Sequence, residues 1–235
     1  MRLLVLADIH ANYEALKAVL EKVRGVDGVI VVGDLVDYGP DPDKVLDVVR
    51  TLGAKVVRGN HDEAVGRGVD CRCGPATRDL SIYTRANISL KKLGQDDRRY
   101  LASLPLRVIV ETPMGRAMVV HATPRDPLYR YVYPWTSPEE LDEEFRGEEV
   151  DLYIVGHSHH QTLRVHRGIH IVNPGSVGQP RDGDPRAAAA IISEEGVEFI
   201  RIKYDIDRVV RRLREEIQDD RVFERLASIL RSGSV

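Results

Sequence analysis

Five short apolar runs in this sequence end in residues that can bind a metal ion. The first run, residues 3–7, is followed by Asp8 and His10. Residues two apart on an extended segment point the same way, so Asp8 and His10 leave this run side by side. The other four runs end in Asp34, then Asn60 and His61, then His121, then His157 and His159. Together they predict a metal site, because a buried group of carboxylates and imidazoles would be costly without a compensating ion.

The donor atoms of this set indicate which metals would bind. They are nitrogen and oxygen with no thiolate, which suits Mn, Fe, Co, Ni or Zn better than Mg or Ca. The set holds too many groups for one ion, and Asp34 is placed to bridge two. Two ions roughly 3.5–4 Å apart stabilise the attacking and leaving oxygens of an in-line displacement at phosphorus. The pattern therefore favours a two-metal site for phosphoryl chemistry.

Strands and helices alternate over the first part of the chain. The apolar runs at 3–7, 29–32 and 54–57 are short and continuous, which is typical of buried strands. Helical patterns separate them, with Asn12 as a cap for the first helix and Pro42 at the start of the second. This order predicts right-handed crossovers and a mostly parallel sheet. Such sheets bind ligands at the carboxyl ends of their strands, where the candidate metal ligands lie.

The alternation is interrupted twice, and we predict one domain over residues 1–235 with inserted cap segments at about 63–105 and 123–150. The second segment contains the aromatic cluster from Tyr129 to Trp135. This cluster could stack a nucleobase, although packing of the segment or an oligomer contact is the more usual role. The remaining predicted elements are helices at 77–93 and 96–104, strands at 106–112, 117–120, 151–155, 163–166, 169–172, 187–192 and 197–202, and one or two helices at 205–231.

Composition restricts the class of protein. The chain has 235 residues and a net charge of −3, so it shows no basic bias toward nucleic acid. No apolar run approaches the roughly 20 residues that a membrane span needs. The first strand follows directly on Met1 and Arg2, so we expect no signal peptide and a cytoplasmic protein.

The two cysteines, Cys71 and Cys73, are one residue apart. Two cysteines are far from a disulfide framework. A zinc site would need further thiolates or histidines nearby, and none follows in the sequence. A local structural role is therefore favoured over a redox or metal-binding role.

The motifs that carry the candidate ligands resemble those of the calcineurin-like metallophosphoesterases, over residues 1 to about 176. In order, they are Asp8-x-His10, Gly33-Asp34-x-x-Asp37, Gly59-Asn60-His61-Asp62, His121 and Gly156-His157-x-His159. The last of these motifs, Gly156-His157-x-His159, and the small size of the chain resemble the compact prokaryotic phosphodiesterases and the diadenosine-tetraphosphatase-like group. The resemblance implies an α/β fold, a four-layer α/β/β/α sandwich of two mixed sheets, with a dinuclear metal site at the strand carboxyl ends. It implies two divalent transition metal ions, with Mn favoured.

The resemblance also implies roles for single residues. One metal would take Asp8, His10, Asp34 and His159, and the other would take Asp34, Asn60, His121 and His157. A hydroxide held between the metals would attack phosphorus. His61 would protonate the leaving oxygen while Asp62 orients its ring, so that Asn60, His61 and Asp62 form the catalytic run.

Three further residues are candidates for substrate binding. Gly175 and Ser176 resemble the family's loop that approaches the substrate or the metal shell, and a plain turn is the equal alternative. Arg58 precedes the Gly-Asn-His run and could meet phosphate, or equally form a surface ion pair.

Two departures from the family pattern bear on the substrate. Protein phosphatases of this superfamily carry arginine where Tyr38 stands and glutamate where Asp62 stands. We therefore expect hydrolysis of a small phosphodiester, phosphomonoester or nucleotide, with a phosphodiester favoured. The alternatives are a protein serine/threonine phosphatase and a non-catalytic scaffold of the same fold, although a scaffold would have lost His61 or several ligands. Membranes and duplex nucleic acid are not expected partners, and a homo-oligomer is allowed.

Overall fold

The computed structural model describes residues 1–235 and contains ten strands and nine α-helices. The strands are β1 (Leu3–Leu6), β2 (Gly28–Val31), β3 (Lys55–Val56), β4 (Arg107–Thr112), β5 (Gly115–Val120), β6 (Leu152–Ile154), β7 (Gln161–His166), β8 (Ile169–Pro174), β9 (Ala187–Ser193) and β10 (Gly196–Ile202). The helices are α1 (Tyr13–Lys22), α2 (Pro42–Thr51), α3 (Asn60–Arg67), α4 (Arg78–Thr84), α5 (Leu90–Lys92), α6 (Gln95–Ser103), α7 (Pro138–Glu144), α8 (Ile206–Glu216) and α9 (Asp220–Ser232). A π-helical turn, Arg85–Ser89, joins α4 to α5.

The strands form two mixed sheets of five strands each. In the first sheet the order is β10-β9-β1-β2-β3, with β1, β2 and β3 parallel and β9 antiparallel to β1. In the second sheet the order is β4-β5-β6-β8-β7, with β5, β6 and β8 parallel and both edge strands antiparallel. The parallel strands at the centre of each sheet end at one edge, where ligands of open sheets bind.

The two sheets pack face to face, and helices cover both outer surfaces. Leu3 and Val5 of β1 lie in the core between the sheets, whereas Leu4 and Leu6 lie in the core shared with α1 and α2. All four residues of β1 are buried, which explains the continuous apolar run in the sequence. On the opposite side, α7 packs through Leu141 against the outer face of the second sheet. The predicted α/β/β/α sandwich is thus confirmed.

The C-terminal helices support the segment beside the site. α8 and α9 share an apolar cluster with Leu80 of α4, Ile88 of the π-helical turn and Tyr38. None of the helices is both long enough and apolar enough to cross a lipid bilayer.

The secondary structure differs from the prediction at three places. Helix α3 begins at Asn60, so Asn60 and His61 lie in the first turn of a helix that the sequence analysis did not predict. The helix predicted at 77–93 is broken into α4, the π-helical turn and α5. Helix α7 lies in the inserted segment at about 123–150, where no helix was predicted. Its start carries a capping box, in which the Ser137 side chain accepts from the backbone N–H of Glu140, and this signal was present in the sequence.

Candidate metal centre

The residues predicted to bind metal meet at one edge of the two sheets. They form two buried groups, each with its ligand atoms within 4.8 Å of one another: Asp8, His10 and His159 in the first, and Asp34, His121 and His157 in the second. The side-chain oxygen of Asn60 joins the second group, 3.1 Å from Nε2 of His121. Oδ2 of Asp34 lies 3.3 Å from Nε2 of His121 and 3.7 Å from Nε2 of His10. Asp34 therefore lies between the two groups.

The backbone bends sharply at most of these positions. Asp8, His10, Asp34, His157 and His159 have positive φ angles between 47° and 65°. This left-handed conformation is uncommon for residues with a side chain and costs on the order of 1–3 kcal/mol at each position. Hydrogen bonds between the bends hold them in place: the N–H of His10 donates to the carbonyl of Asp34 at 2.9 Å. Strain of this kind concentrates at functional sites.

The four histidines of the two groups direct a lone pair inward. In each ring, the other nitrogen faces a backbone carbonyl at 2.6–3.3 Å. The carbonyls belong to Val36 for His10, Val32 for His121, Tyr129 for His157 and Gln179 for His159. A ring nitrogen that faces a carbonyl oxygen must carry a proton, so in the neutral ring the opposite nitrogen is an acceptor.

The distances between these inward atoms fit the binding of cations. Nε2 of His10 and Nε2 of His159 are 3.1 Å apart, and neither carries a proton to share. Around Nε2 of His121, the oxygen of Asn60 and Nδ1 of His157 lie at 3.1 and 3.2 Å. Lone pairs at such distances repel one another unless a positive charge lies between them. The donor set therefore fits divalent ions at both groups.

Burial sets the protonation of these residues. It lowers the pKa of His10 to about 3 and holds the pKa values of His157 and His159 well below the ordinary histidine value. These imidazoles are therefore neutral, which is the form that binds a metal. Burial raises the pKa of Asp8 to about 8. For His121, burial alone would lower the pKa, but the Asp34 carboxylate raises it to about 9. A metal ion bound beside Asp34 would release that proton and leave the neutral ring as a ligand.

His61 lies next to both groups, with Nε2 4.0 Å from Oδ2 of Asp34. Its Nδ1 donates to the carboxylate of Asp37 at 2.9 Å. That carboxylate is fully buried and also accepts from Arg85 at 2.6 Å and from Ser89 at 2.8 Å. Asp37 therefore holds the ring of His61, and Arg85 and Ser89 hold Asp37.

The prediction that Asp62 orients the ring of His61 is wrong. Its carboxylate accepts from the backbone N–H groups of Asp34, Leu35 and Gly59 at 2.8, 2.8 and 2.9 Å. In the first turn of α3 the side chain of Asp62 turns back toward the start of the helix, as in a capping box. Asp62 thus fixes the loop that carries Asp34.

The three residues predicted to bind substrate have other contacts. The guanidinium of Arg58 lies 2.8 Å from the carboxylate of Glu63 and donates to a backbone carbonyl of α6. The structure thus places Arg58 in an ion pair, the second of its two predicted roles, although the pair is buried rather than at the surface. The hydroxyl of Ser176 donates to the backbone carbonyl of Asp8 at 2.6 Å. A Cβ at Gly175 would lie 2.8 Å from the Cβ of Ala188, which explains the need for glycine there. This turn supports the Asp8 bend.

The aromatic cluster forms a stack that begins at the metal centre. The ring of Tyr131 stacks on His157 with centroids 3.9 Å apart. Tyr133 is parallel to Tyr131 at 5.7 Å, and Trp135 is parallel to Tyr133 at 5.0 Å. Trp135 is 69% exposed, so the stack runs from the buried site to the surface.

A cavity of about 350 Å³ opens beside this stack. Its walls include Tyr131, Tyr133, Ser158, His160 and Arg181. The guanidinium of Arg181 lies 5.7 Å from the ring centroid of Tyr38. Arg181 is thus a cation at the rim of the site that no motif contains. Asp37, in contrast, stands in the Gly-Asp motif, while nothing in the sequence pointed to Arg85 or Ser89.

A two-sheet α/β/β/α sandwich with imidazole and carboxylate donors at its strand ends has the architecture of a metal-dependent phosphoesterase. The family model for the calcineurin-like phosphoesterase superfamily domain matches residues 1–196. The chain belongs to this superfamily, as its motifs predicted.

Three relatives show the range of similarity. An uncharacterized protein of Methanocaldococcus jannaschii is 33% identical over 233 residues, which cover 89% of this chain and 90% of the relative. The structure of a metallophosphoesterase from Sphaerobacter thermophilus is 33% identical, with a TM-score of 0.79 and 99% of each chain covered. A symmetrical bis(5′-nucleosyl)-tetraphosphatase of Baumannia cicadellinicola is 42% identical over 62 residues, which cover only 24% of this chain and 22% of the relative.

Proposed function

We propose that this chain is a dinuclear-metal phosphoesterase that hydrolyses a small phosphodiester, phosphomonoester or nucleotide, with a phosphodiester favoured. The observation that carries the proposal is the pair of buried donor groups with Asp34 between them. One ion would be held by Asp8, His10, Asp34 and His159, and the other by Asp34, Asn60, His121 and His157. The nitrogen and oxygen donors suit divalent transition metals, and Mn is our first choice.

Bound ions would supply Lewis acidity that activates water and neutralises phosphate charge. The residues of the chain handle the leaving group. His61 is placed to give the proton on Nε2 to the leaving oxygen, since its Nδ1–H remains with Asp37. The carboxylate of Asp37 stabilises the charged ring before transfer, and the ion pair with Arg85 keeps that carboxylate in position.

Substrate size is limited by the segments around the site. Residues 63–105 contribute most of α3 and all of α4 to α6, and residues 123–150 contribute the aromatic stack and α7. These segments would act as caps that exclude long duplexes. The cavity beside Tyr131 would receive the non-reacting part of the substrate, with Arg181 available to an additional phosphate. The short match to a bis(5′-nucleosyl)-tetraphosphatase is in keeping with a nucleotide.

The proposal is tested by hydrolysis of bis-p-nitrophenyl phosphate and p-nitrophenyl phosphate with Mn²⁺, with Ni²⁺ and with chelator. We expect turnover that needs metal and favours the diester. His61→Ala should lose about 10²–10⁴-fold in rate, the usual contribution of a general acid, while metal content stays unchanged. His166→Gln is the matched control, because His166 binds Asp142 on the outer face of the second sheet.

Preference for the monoester would move the proposal toward a phosphatase. If two ions bind and neither ester is hydrolysed with any metal, hydrolysis of simple esters is refuted. Equal rates for wild type and His61→Ala with both esters would show that His61 is not the general acid.

A further inference from the structure

Cys71 and Cys73 lie against His61, and the structure joins them by a disulfide. Sγ of Cys73 is 3.3 Å from Nε2 of His61. The carbonyl of Cys71 accepts from the side-chain amide of Asn60 at 2.8 Å. No further thiolate or histidine follows closely after the two cysteines in the sequence, but His61, which precedes them, lies beside them in space.

We propose that, once the disulfide is reduced, Cys71, Cys73 and His61 form a third metal site for a thiophilic divalent ion such as Zn²⁺ or Cd²⁺. The two sulfur atoms and a ring nitrogen of His61 already lie within 4.8 Å of one another, and all three residues are buried. Two thiolates and an imidazole are donors that these ions prefer. The two groups of the main site offer only nitrogen and oxygen, so the third site differs in selectivity.

The surroundings of the three residues suit this role. Because Nδ1 of His61 donates to Asp37, the lone pair of the neutral ring is on Nε2, which faces the sulfurs. The hydroxyl of Ser81, which donates to the carbonyl of Arg78, lies 3.3 and 3.4 Å from the two sulfur atoms and would have to rotate to donate to a thiolate. Residues 69–74 belong to no helix or strand. The sulfurs can therefore separate to the roughly 3.8 Å that a tetrahedral site with Zn–S bonds of about 2.3 Å requires.

Reduction of the Cys71–Cys73 disulfide takes two electrons from a dithiol reductant. A thiolate of the reductant attacks one sulfur, the bond between Cys71 and Cys73 breaks, and the reductant leaves as its own disulfide. The two cysteines are then thiols, and binding of the divalent ion releases two protons to solvent.

An ion at this site would occupy Nε2 of His61, the atom that protonates the leaving oxygen. The reduced and ion-loaded chain would therefore be inactive, whereas the oxidised chain keeps His61 free. This consequence rests on the proposed function, but the existence of the site does not.

The test measures the ultraviolet charge-transfer absorption of a thiolate–cadmium bond. The whole chain is loaded with Mn²⁺, and one portion is reduced with dithiothreitol and freed of it by gel filtration without oxygen. Both portions are titrated with Cd²⁺. We expect the absorption to saturate at one ion per chain in the reduced portion only, because Cd²⁺ at the nitrogen and oxygen groups gives no such band.

Variants then identify the ligands. Cys73→Ser should abolish the saturable absorption. His61→Gln should keep the band but weaken binding by more than about tenfold, since loss of even an outer partner costs roughly 10–100-fold in metal affinity. His166→Gln should bind Cd²⁺ like the wild type. In parallel, diester hydrolysis by the reduced chain should fall with Zn²⁺ at the site and recover on reoxidation.

Equal absorption in oxidised and reduced portions, or no absorption in either, would overturn the proposal. Unchanged affinity in His61→Gln would also overturn it, because the site would not include that ring. If no sample hydrolyses an ester, the proposed function fails while the absorption still decides the metal site.

Discussion

Replacement of Asp37 by asparagine tests whether Asp37 positions His61, the proposed general acid. The carboxylate of Asp37 is fully buried and accepts from Nδ1 of His61 at 2.9 Å. A hydrogen bond to a charged group contributes about 1.5–3 kcal/mol. Since about 1.4 kcal/mol is tenfold in rate, Asp37→Asn should lower kcat/KM by roughly 10- to 150-fold. The partly buried Arg85 also loses its ion-pair partner, so some loss of stability is expected.

The assay compares two diesters that differ in their leaving group. p-Nitrophenolate leaves readily without a proton, whereas phenolate is a poorer leaving group that depends on the acid. We therefore expect Asp37→Asn to slow hydrolysis of diphenyl phosphate more than that of bis-p-nitrophenyl phosphate. Saturating Mn²⁺ is used throughout, and metal content is measured for each sample.

Asp62→Asn is the matched control, because the Asp62 carboxylate contacts backbone N–H groups and not the ring of His61. It should lower the free energy of unfolding by about 1–3 kcal/mol, the cost of an unsatisfied buried group, and should slow both diesters equally. If Asp62→Asn shows the leaving-group dependence and Asp37→Asn does not, the assignment of Asp37 is refuted.

Three further outcomes are expected. In chelator, the wild type should lose stability as the pH falls from 6.5 toward 3, because the unfolded chain binds a proton at His10 that the folded chain excludes. In urea unfolding, His10→Gln should reduce the dependence of the unfolding free energy on pH by about 1.4 kcal/mol per pH unit. Gly59→Ala should abolish metal binding in calorimetry, because a Cβ there would lie 2.1 Å from a carboxylate oxygen of Asp34. Tyr131→Leu should weaken metal binding about two- to twelvefold, since an aromatic pair such as that with His157 contributes about 0.5–1.5 kcal/mol.

Each of these outcomes has a control. Gly94→Ala should bind metal normally, because a Cβ there has nothing nearer than 3.7 Å. Trp135→Leu should also bind metal normally, since Trp135 is exposed and stacks on Tyr133 rather than on His157. Parallel pH slopes for wild type and His10→Gln would contradict the burial of a neutral His10.

Much of the fold was predictable because β1 and β2 are continuous apolar runs between helical patterns. Buried parallel strands leave this signal along the chain, and their order predicts the sheet. Helix α3 was missed because its first turn consists of the motif residues Asn60 to Asp62, whose types suit a site more than a helix. The break at the π-helical turn in 85–89 was also missed, since π-helical hydrogen bonding leaves no periodic pattern in so short a segment.

The sequence by itself determined which residues stand at the strand ends, and hence the superfamily and the set of candidate ligands. Motif order along the chain carries this information, because parallel strands bring their carboxyl ends together. Only the tertiary structure decided the partners of those residues. Asp37 rather than Asp62 holds His61, and Cys71 and Cys73 lie beside His61. These contacts join residues from different segments of the chain. The direction of a side chain at a strained bend or in a first helical turn depends on packing rather than on residue type.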